Sequence, residues 1–246
     1  MLDRHAPEWR RLASHRSKET MMIDDGALDD LRRRLSGRVF LPGDADYDDA
    51  REIFNVMHDK RPAVIARCAC TADVVACVDV ARRSGMLVAV RSGGHSVAGN
   101  STCEGGMVVD LAGLRDVEVD PEARTARAGG GVLWGDFDVA TQAHGLHTPG
   151  GRVTTTGIGG FTTGGGYGWT SSKYGLTCDN VISAEVVLAD GSVVRASEDE
   201  NSDLFWGFAV AAATSGSSPS SSSAFISSGR SCWPVSRCGR STARSR

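Results

Sequence analysis

The sequence has no metal-finger spacing. Its seven cysteines, Cys68, Cys70, Cys77, Cys103, Cys178, Cys232 and Cys238, form no CxxC pair, and their number is odd. Reduced thiols in a cytosolic protein are therefore the expectation. The polar, basic first 20 residues hold no apolar segment of the kind a secretory signal needs. No apolar run is long enough to span a bilayer, so a cytoplasmic location and no membrane partner are expected. Strong charge of either sign is missing too: the formal net charge is −3, which implies no nucleic acid or other highly charged partner.

The familiar nucleotide and nucleophile signatures are also absent. A GxGxxG pattern begun at Gly157 meets Thr162 where its last glycine belongs. A P-loop begun at Gly159 reaches Gly164-Gly165 and finds no lysine. No GxSxG elbow occurs, which argues against an α/β-hydrolase. The acidic GDADYDD segment fails the EF-hand pattern and reads as a solvated face or helix cap. His144 and His147, three apart, lack a third metal ligand and read as an exposed helix end, so no metal is expected.

Glycine, by contrast, is plentiful: 30 residues, most of them bunched between Gly93 and Gly168. Two loops carry them, RSGGHS at 91–96 and TPGGRVTTTGIGGFTTGGGYG at 148–168. Backbone amides in such loops form nests for phosphate, or the loops are simply tight turns. His95 inside the first loop has several possible roles on residue type alone: a loop histidine bonding a backbone carbonyl, a metal ligand or a base.

Periodicity supplies the frame. Residues 27–35 read as a short amphipathic helix, and VFLPGDADYDDAREIFNVM as a loop followed by a second helix. Ala63–Cys68 reads as a strand, then a helix capped by Thr71 runs to about Arg83, and Leu87–Val90 is a strand parallel to the first. Short strands follow from Met107, with a helix near Trp134–His144. A hairpin around Asp190-Gly191 closes the pattern. The expected class is α+β with two subdomains dividing near RSGGHS, at about 36–91 and 92–207, after an N-terminal extension and first helix over 1–35. After Phe208 the composition turns serine-rich with no acidic residue, so 208–246 reads as a disordered tail.

The strings RPAVIARC, TADVVACVDVARRSGMLVAVRSGGHSVAGNSTCEGGMVVDL, TPGGRVTTTGIGGFTTGGGYGWTSSKYGLTCDNVISAEVVLADG and DLFWG, in this order, resemble the FAD-binding domain of the vanillyl-alcohol oxidase/p-cresol methylhydroxylase (PCMH-type) flavoproteins. The likeness is closest to the bacterial berberine-bridge-enzyme-like oxidases and runs from about Val39 to Gly207. It implies FAD lying between two α+β subdomains, a hydride taken from a small alcohol, sugar or amine, and dioxygen as the acceptor. It also implies that Arg91, Ser92, Gly93, Gly94, His95 and Ser96 wrap the FAD diphosphate, with His95 bound covalently to the flavin 8α-methyl. Gly150, Gly151, Thr155, Thr156, Gly157, Gly160, Gly164 and Gly165 would line the cofactor, and Val186 would meet it through its backbone. The cysteine that makes a second covalent link in many members is replaced here by Val153, so a single link is expected. A reductase on the same fold, such as an enolpyruvyl reductase, would bind FAD without the link. The resemblance supplies no catalytic side chain, since the family's substrate domain lies beyond Gly207.

Members of the family continue past LFW-G with a run like LRGGGGNFGIVT, where this chain has FAVAAATSGSSP. A one-nucleotide slip near Gly207 accounts for the difference. Serine codons beginning TC then encode Phe, Leu, Ile or Val, and alanine codons encode Gly, Arg, Ser or Cys. Phe208–Val235 can be re-read as LRGGGGNFGIVTKFEFRLHLVGPVVLAG. Residues 208–246 are thus expected to be an out-of-frame product, and the whole a C-terminally truncated relative or a non-catalytic flavin-binding remnant.

Overall fold

The computed structural model describes residues 23–207 and three short backbone stretches at 226–227, 231–234 and 236–237. The disordered, out-of-frame tail expected from 208 onward otherwise lies outside the described residues, as does most of the N-terminal extension.

The first layer forms around Val64, Ile65, Ala66, Met107, Val108 and Val109. Side chains alternate across a strand, so an unbroken apolar run must be covered on both faces. Here β2 (Val64–Arg67), β3 (Val88–Arg91) and β4 (Met107–Asp110) run parallel, and β1 (Arg38–Phe40) pairs antiparallel on β2, in the order β1-β2-β4-β3. Val64, Ala66, Met107 and Val109 pack on one face against α1 (Asp25–Arg34) and α3 (Thr71–Arg83). Ile65, Ala89 and Val108 face Phe40, Tyr47 and Ala50 on the other, the last two from α2 (Tyr47–Arg51). The β2 and β3 strands share a direction as expected, but β4 lies between them. Val39 and Phe40, read as part of a loop, lie instead in the edge strand β1, where they pair with Ala66 and Ile65.

Helix α3 starts differently from the expectation. Its N-cap is Cys70, without a side-chain cap bond, while Thr71 is the first helical residue and donates to Glu185 Oε1 at 2.9 Å. Asp73 does the capping work. Its fully buried carboxylate accepts from Ala69 N at 2.7 Å, Ser36 N at 2.8 Å and Gly37 N at 3.0 Å. A buried donor stripped of its acceptor costs about 1–3 kcal/mol. Replacing Asp73 with alanine takes the acceptor from three N–H groups that belong to exposed residues and that water can partly reach, so the variant is expected to lose about 1–3 kcal/mol of stability in a urea titration. A loss below about 1 kcal/mol would contradict that role.

The second sheet is antiparallel. The hairpin β5 (Val117–Asp120) and β6 (Thr125–Ala128) pairs through Val117↔Ala128, and β8 (Ser183–Val187) and β9 (Val193–Ser197) pair over five positions around the expected Asp190-Gly191 turn. Between the two hairpins runs β11 (Ser231–Pro234), joined to β6 over four positions and to β8 at Cys232↔Ser183. β10 (Ile226–Ser227) pairs with β8, and β12 (Ser236–Arg237) pairs with β7 (Leu146–His147). Helices α4 (Trp134–Gln142) and α5 (Ile158–Thr163) cover this sheet with a core of Trp134, Phe137, Ile158, Ala184 and Val186. His144 is exposed beyond α4, whereas His147 sits half-buried in β7 with Nε2 2.6 Å from Thr170 Oγ1.

Candidate functional site

β3 and β4 end in register at Arg91↔Asp110, and this pairing builds the floor of the site. Asp110, 1% exposed, accepts from Arg91 Nη2 at 3.0 Å and Arg67 Nε at 2.9 Å through Oδ2, and from Ala112 N through Oδ1. Burial by itself would raise the Asp110 carboxyl, but the Arg91 and Arg67 guanidiniums outweigh it and hold it below the usual carboxylate range. The carboxylate thereby holds the two guanidiniums together at the end of the sheet.

Directly after Arg91 the chain leaves the sheet as Ser92–Ser96. Ser92 Oγ donates to Gly130 O at 2.6 Å. Gly93 meets Gly157 backbone to backbone: a Cβ on Gly93 would fall 2.2 Å from Gly157 N, and one on Gly157 would fall 2.0 Å from Gly93 N. Neither position has room for a side chain. Gly94 has φ of +72°, a conformation that favours glycine, and its carbonyl accepts from Phe54 N at 3.2 Å. Among the described residues, no protein acceptor engages the N–H groups of Gly93, Gly94, His95 or Ser96. Ser96 turns away, its Oγ accepting from Asn100 N at 3.0 Å.

The His95 ring stacks on Phe54, with centroids 4.2 Å apart and planes 16° apart. Its Nε2 is hydrogen-bonded to Thr155 Oγ1 at 2.9 Å. Burial pushes its pKa below the ordinary histidine value of 6.5, so the ring is neutral at neutral pH. A cavity of about 500 Å³ opens here, lined by Arg67 and Arg91, by Asp49, Glu52 and Asp110, and by the Ser92–His95 loop, with Ile53 and Phe54 at its side.

The second glycine loop contributes no residue to the lining of this cavity but packs against the 92–95 loop. Thr155 and Gly157 touch the 92–95 loop. The carbonyl of Thr156 accepts from Trp134 N at 3.0 Å, tying the same turn to α4. Gly157 caps α5, Gly160 lies within it, and Gly164 and Gly165 follow its last turn. Gly150 and Gly151 lie against the indole of the fully buried Trp134. Val186 is fully buried in the second core, with its backbone in β8. Of the expected cofactor residues, Arg91–His95 line the cavity, whereas Ser96, Gly150, Gly151, Thr155, Thr156, Gly157, Gly160, Gly164, Gly165 and Val186 are not among its lining residues. Val153 stands exposed at the start of the Val153–Thr156 turn. Sequence reading missed Phe54, Arg67 and Asp110. A charged residue ending an apolar strand, as in MVVD, is the signal that could have pointed to Asp110.

Residues 62–197 match the FAD binding domain family, more than half of the chain, and the protein belongs to that family. The (R)-6-hydroxynicotine oxidase of Paenarthrobacter nicotinovorans is 38% identical over 172 residues, covering 70% of this chain and 38% of that enzyme. The crystal structure of 6-hydroxy-D-nicotine oxidase from Arthrobacter nicotinovorans superposes with a TM-score of 0.76 at 33% identity, over 82% of this chain and 43% of that one. Glucooligosaccharide oxidase from Acremonium strictum, described with a 6-S-cysteinyl, 8α-N1-histidyl FAD, superposes with a TM-score of 0.72 at 28% identity, over 85% of this chain and 42% of that one. The fold is therefore the PCMH-type FAD-binding fold, and the chain spans well under half the length of these relatives.

The residues present fit FAD. Backbone N–H groups at Gly93–Ser96 that no described protein acceptor engages are the kind of donor set a diphosphate needs. The neutral His95 imidazole beside them is a competent nucleophile. Among the described residues no helix is long and apolar enough to cross a membrane.

Proposed function

We propose that this chain is the FAD-binding portion of an FAD-dependent oxidoreductase of the berberine-bridge-enzyme-like branch. In this reading the cofactor lies between two subdomains, and the expected division at 36–91 and 92–207 shifts past β4, which belongs to the first sheet. The backbone of Arg91–Ser96 holds the diphosphate. Gly150, Gly151, Thr155, Thr156, Gly157, Gly160, Gly164, Gly165 and the backbone of Val186 line the remainder. The observation that carries the proposal is the row of unengaged N–H groups ending at a neutral, Thr155-bonded His95.

When bound, FAD accepts a hydride from a small alcohol, sugar or amine and delivers the electrons to dioxygen. The chain's own residues do three things in this scheme. The Gly93–Ser96 amides bind and orient the diphosphate. The Arg91–Asp110–Arg67 group fixes the loop's departure from the sheet. His95 supplies a neutral nitrogen that forms a single covalent tether, the glucooligosaccharide oxidase having such a histidyl link together with a cysteinyl one. Val153 stands where the second link would need a cysteine.

A second reading, a non-catalytic flavin-binding remnant, is favoured by the acid-free, serine-rich sequence after Phe208. A slipped reading frame near Gly207 would account for it. Incubation of the purified chain with FAD, followed by gel filtration, tests the binding claim. Yellow flavin co-eluting with protein is the expected result, and a colourless protein peak overturns it. Turnover of an alcohol, sugar and amine panel by the chain separates the oxidoreductase from the remnant. Nucleotides around the Gly207 codon that encode GGGGNFG in no frame would rule out the slip.

A further inference from the structure

The hydroxyl of Thr155 is the one side-chain group hydrogen-bonded to the His95 ring among the described residues, and its placement is not accidental packing. Thr156 N donates to Val153 O at 3.0 Å, closing a turn around Thr155. The Thr155 carbonyl packs so close to Gly93 that a Cβ there would fall 2.7 Å away. Thr155 is therefore fixed to the same loop that carries His95. Phe54, stacked 4.2 Å from the imidazole, restricts the ring from its face. Ring rotation and ring face are both defined before any cofactor arrives.

We propose that Thr155 is the positioning residue for covalent flavin attachment: it holds Nε2 so that Nδ1 of His95 is the bonding nitrogen. The proposal rests on the reading that His95 is the tether. A neutral imidazole has one N–H and one lone pair, and the partner of one nitrogen decides the role of the other. In the proposed tautomer Nε2–H donates to Thr155 Oγ1, which leaves Nδ1 with the lone pair and without a described hydrogen-bond partner. The bond formed is Nδ1 to the flavin 8α carbon, and the bond broken is one 8α C–H, lost as a proton. The imidazole loses its own proton from Nε2. Two electrons remain in the ring system, and dioxygen takes them with two protons to give hydrogen peroxide. After attachment Nε2 carries a lone pair, and Thr155 reverses its role and donates O–H to it. A hydroxyl can serve in both directions, whereas a valine methyl can serve in neither.

The full chain, incubated with FAD in air, is sampled over time, acid-precipitated, and the flavin in the pellet measured. Thr155→Val is expected to slow pellet flavin formation about tenfold, the effect of one lost hydrogen bond, and Thr155→Ser to restore it to within about threefold of wild type. The ¹⁵N shifts of His95 in the flavin-free chain are expected to report the Nε2-protonated tautomer in wild type and Thr155→Ser, and a mixture in Thr155→Val. Reversible FAD affinity is measured early in the same incubation, and the attachment rates of the three chains are compared at saturating FAD. Wild-type rates and tautomer in Thr155→Val would overturn the role of Thr155. Equal slowing in both variants, with lost affinity, would make Thr155 merely structural and likewise overturn it. A wild-type chain that binds FAD but leaves no flavin in the pellet would instead sink the tether itself, and Thr155's role with it.

Discussion

Replacing Asp110 with alanine is expected to lower stability by about 3–5 kcal/mol, the usual cost of stripping one partner from a buried ion pair. The carboxylate is almost wholly buried, and Arg91, itself 6% exposed, has no other charged partner among its described hydrogen bonds. Without Asp110 the Arg91 guanidinium is left in a dry environment, and Ala112 N loses its acceptor. Arg67 suffers less, since its partly exposed side chain lies over the Phe40 ring at 4.9 Å. Asp110→Asn keeps the acceptor oxygen and should fall between alanine and wild type. Urea unfolding followed by circular dichroism measures both, and a loss below about 1 kcal/mol for Asp110→Ala would contradict the assignment. The pH dependence has a definite sign. The folded carboxyl titrates below its ordinary value of 3.8, so its contribution is complete above that pH and is lost as pH falls through the lower folded value.

Replacing His95 with asparagine is expected to reduce acid-stable flavin to background while reversible binding persists. The diphosphate cradle is backbone and does not depend on the imidazole; only the bond does. Loss of reversible binding as well would mean that His95 supports the loop rather than tethers the cofactor. In the wild-type chain the attachment rate should rise with pH, because protonated imidazole has no lone pair to offer. Burial lowers the His95 pKa, so the midpoint of that rise should lie below pH 6.5.

Local pattern carried much of the architecture. The apolar spacing of Val74, Cys77, Val78 and Ala81 announces one face of α3, and Asp190-Gly191 between alternating strands announces the β8–β9 hairpin. The glycines and His95 stood out because their chemistry is concentrated in a few neighbouring residues. What could not be read were relations between distant segments. The insertion of β4 between β2 and β3 depends on pairing across about forty residues, which leaves no local trace. Asp73 reads as an ordinary first-turn acid until Ser36, Gly37 and Ala69 bring their amides to it. Phe54 lies past the end of a five-residue helix and is 65% exposed, and only the fold shows that it stacks on His95. The bond between His95 and Thr155 spans sixty residues of chain, and it arises because Gly93 and Gly157 allow the two loops to touch.

The most direct measurement is peptide mapping of the chain after incubation with FAD in air. Trypsin cuts after Arg91 and next after Arg115, so His95 lies in the peptide 92–115. A flavin adduct of one FAD on that peptide, located to His95 by fragmentation, is the predicted result. Flavin bound only reversibly, attached to another peptide, or not bound at all would contradict the account.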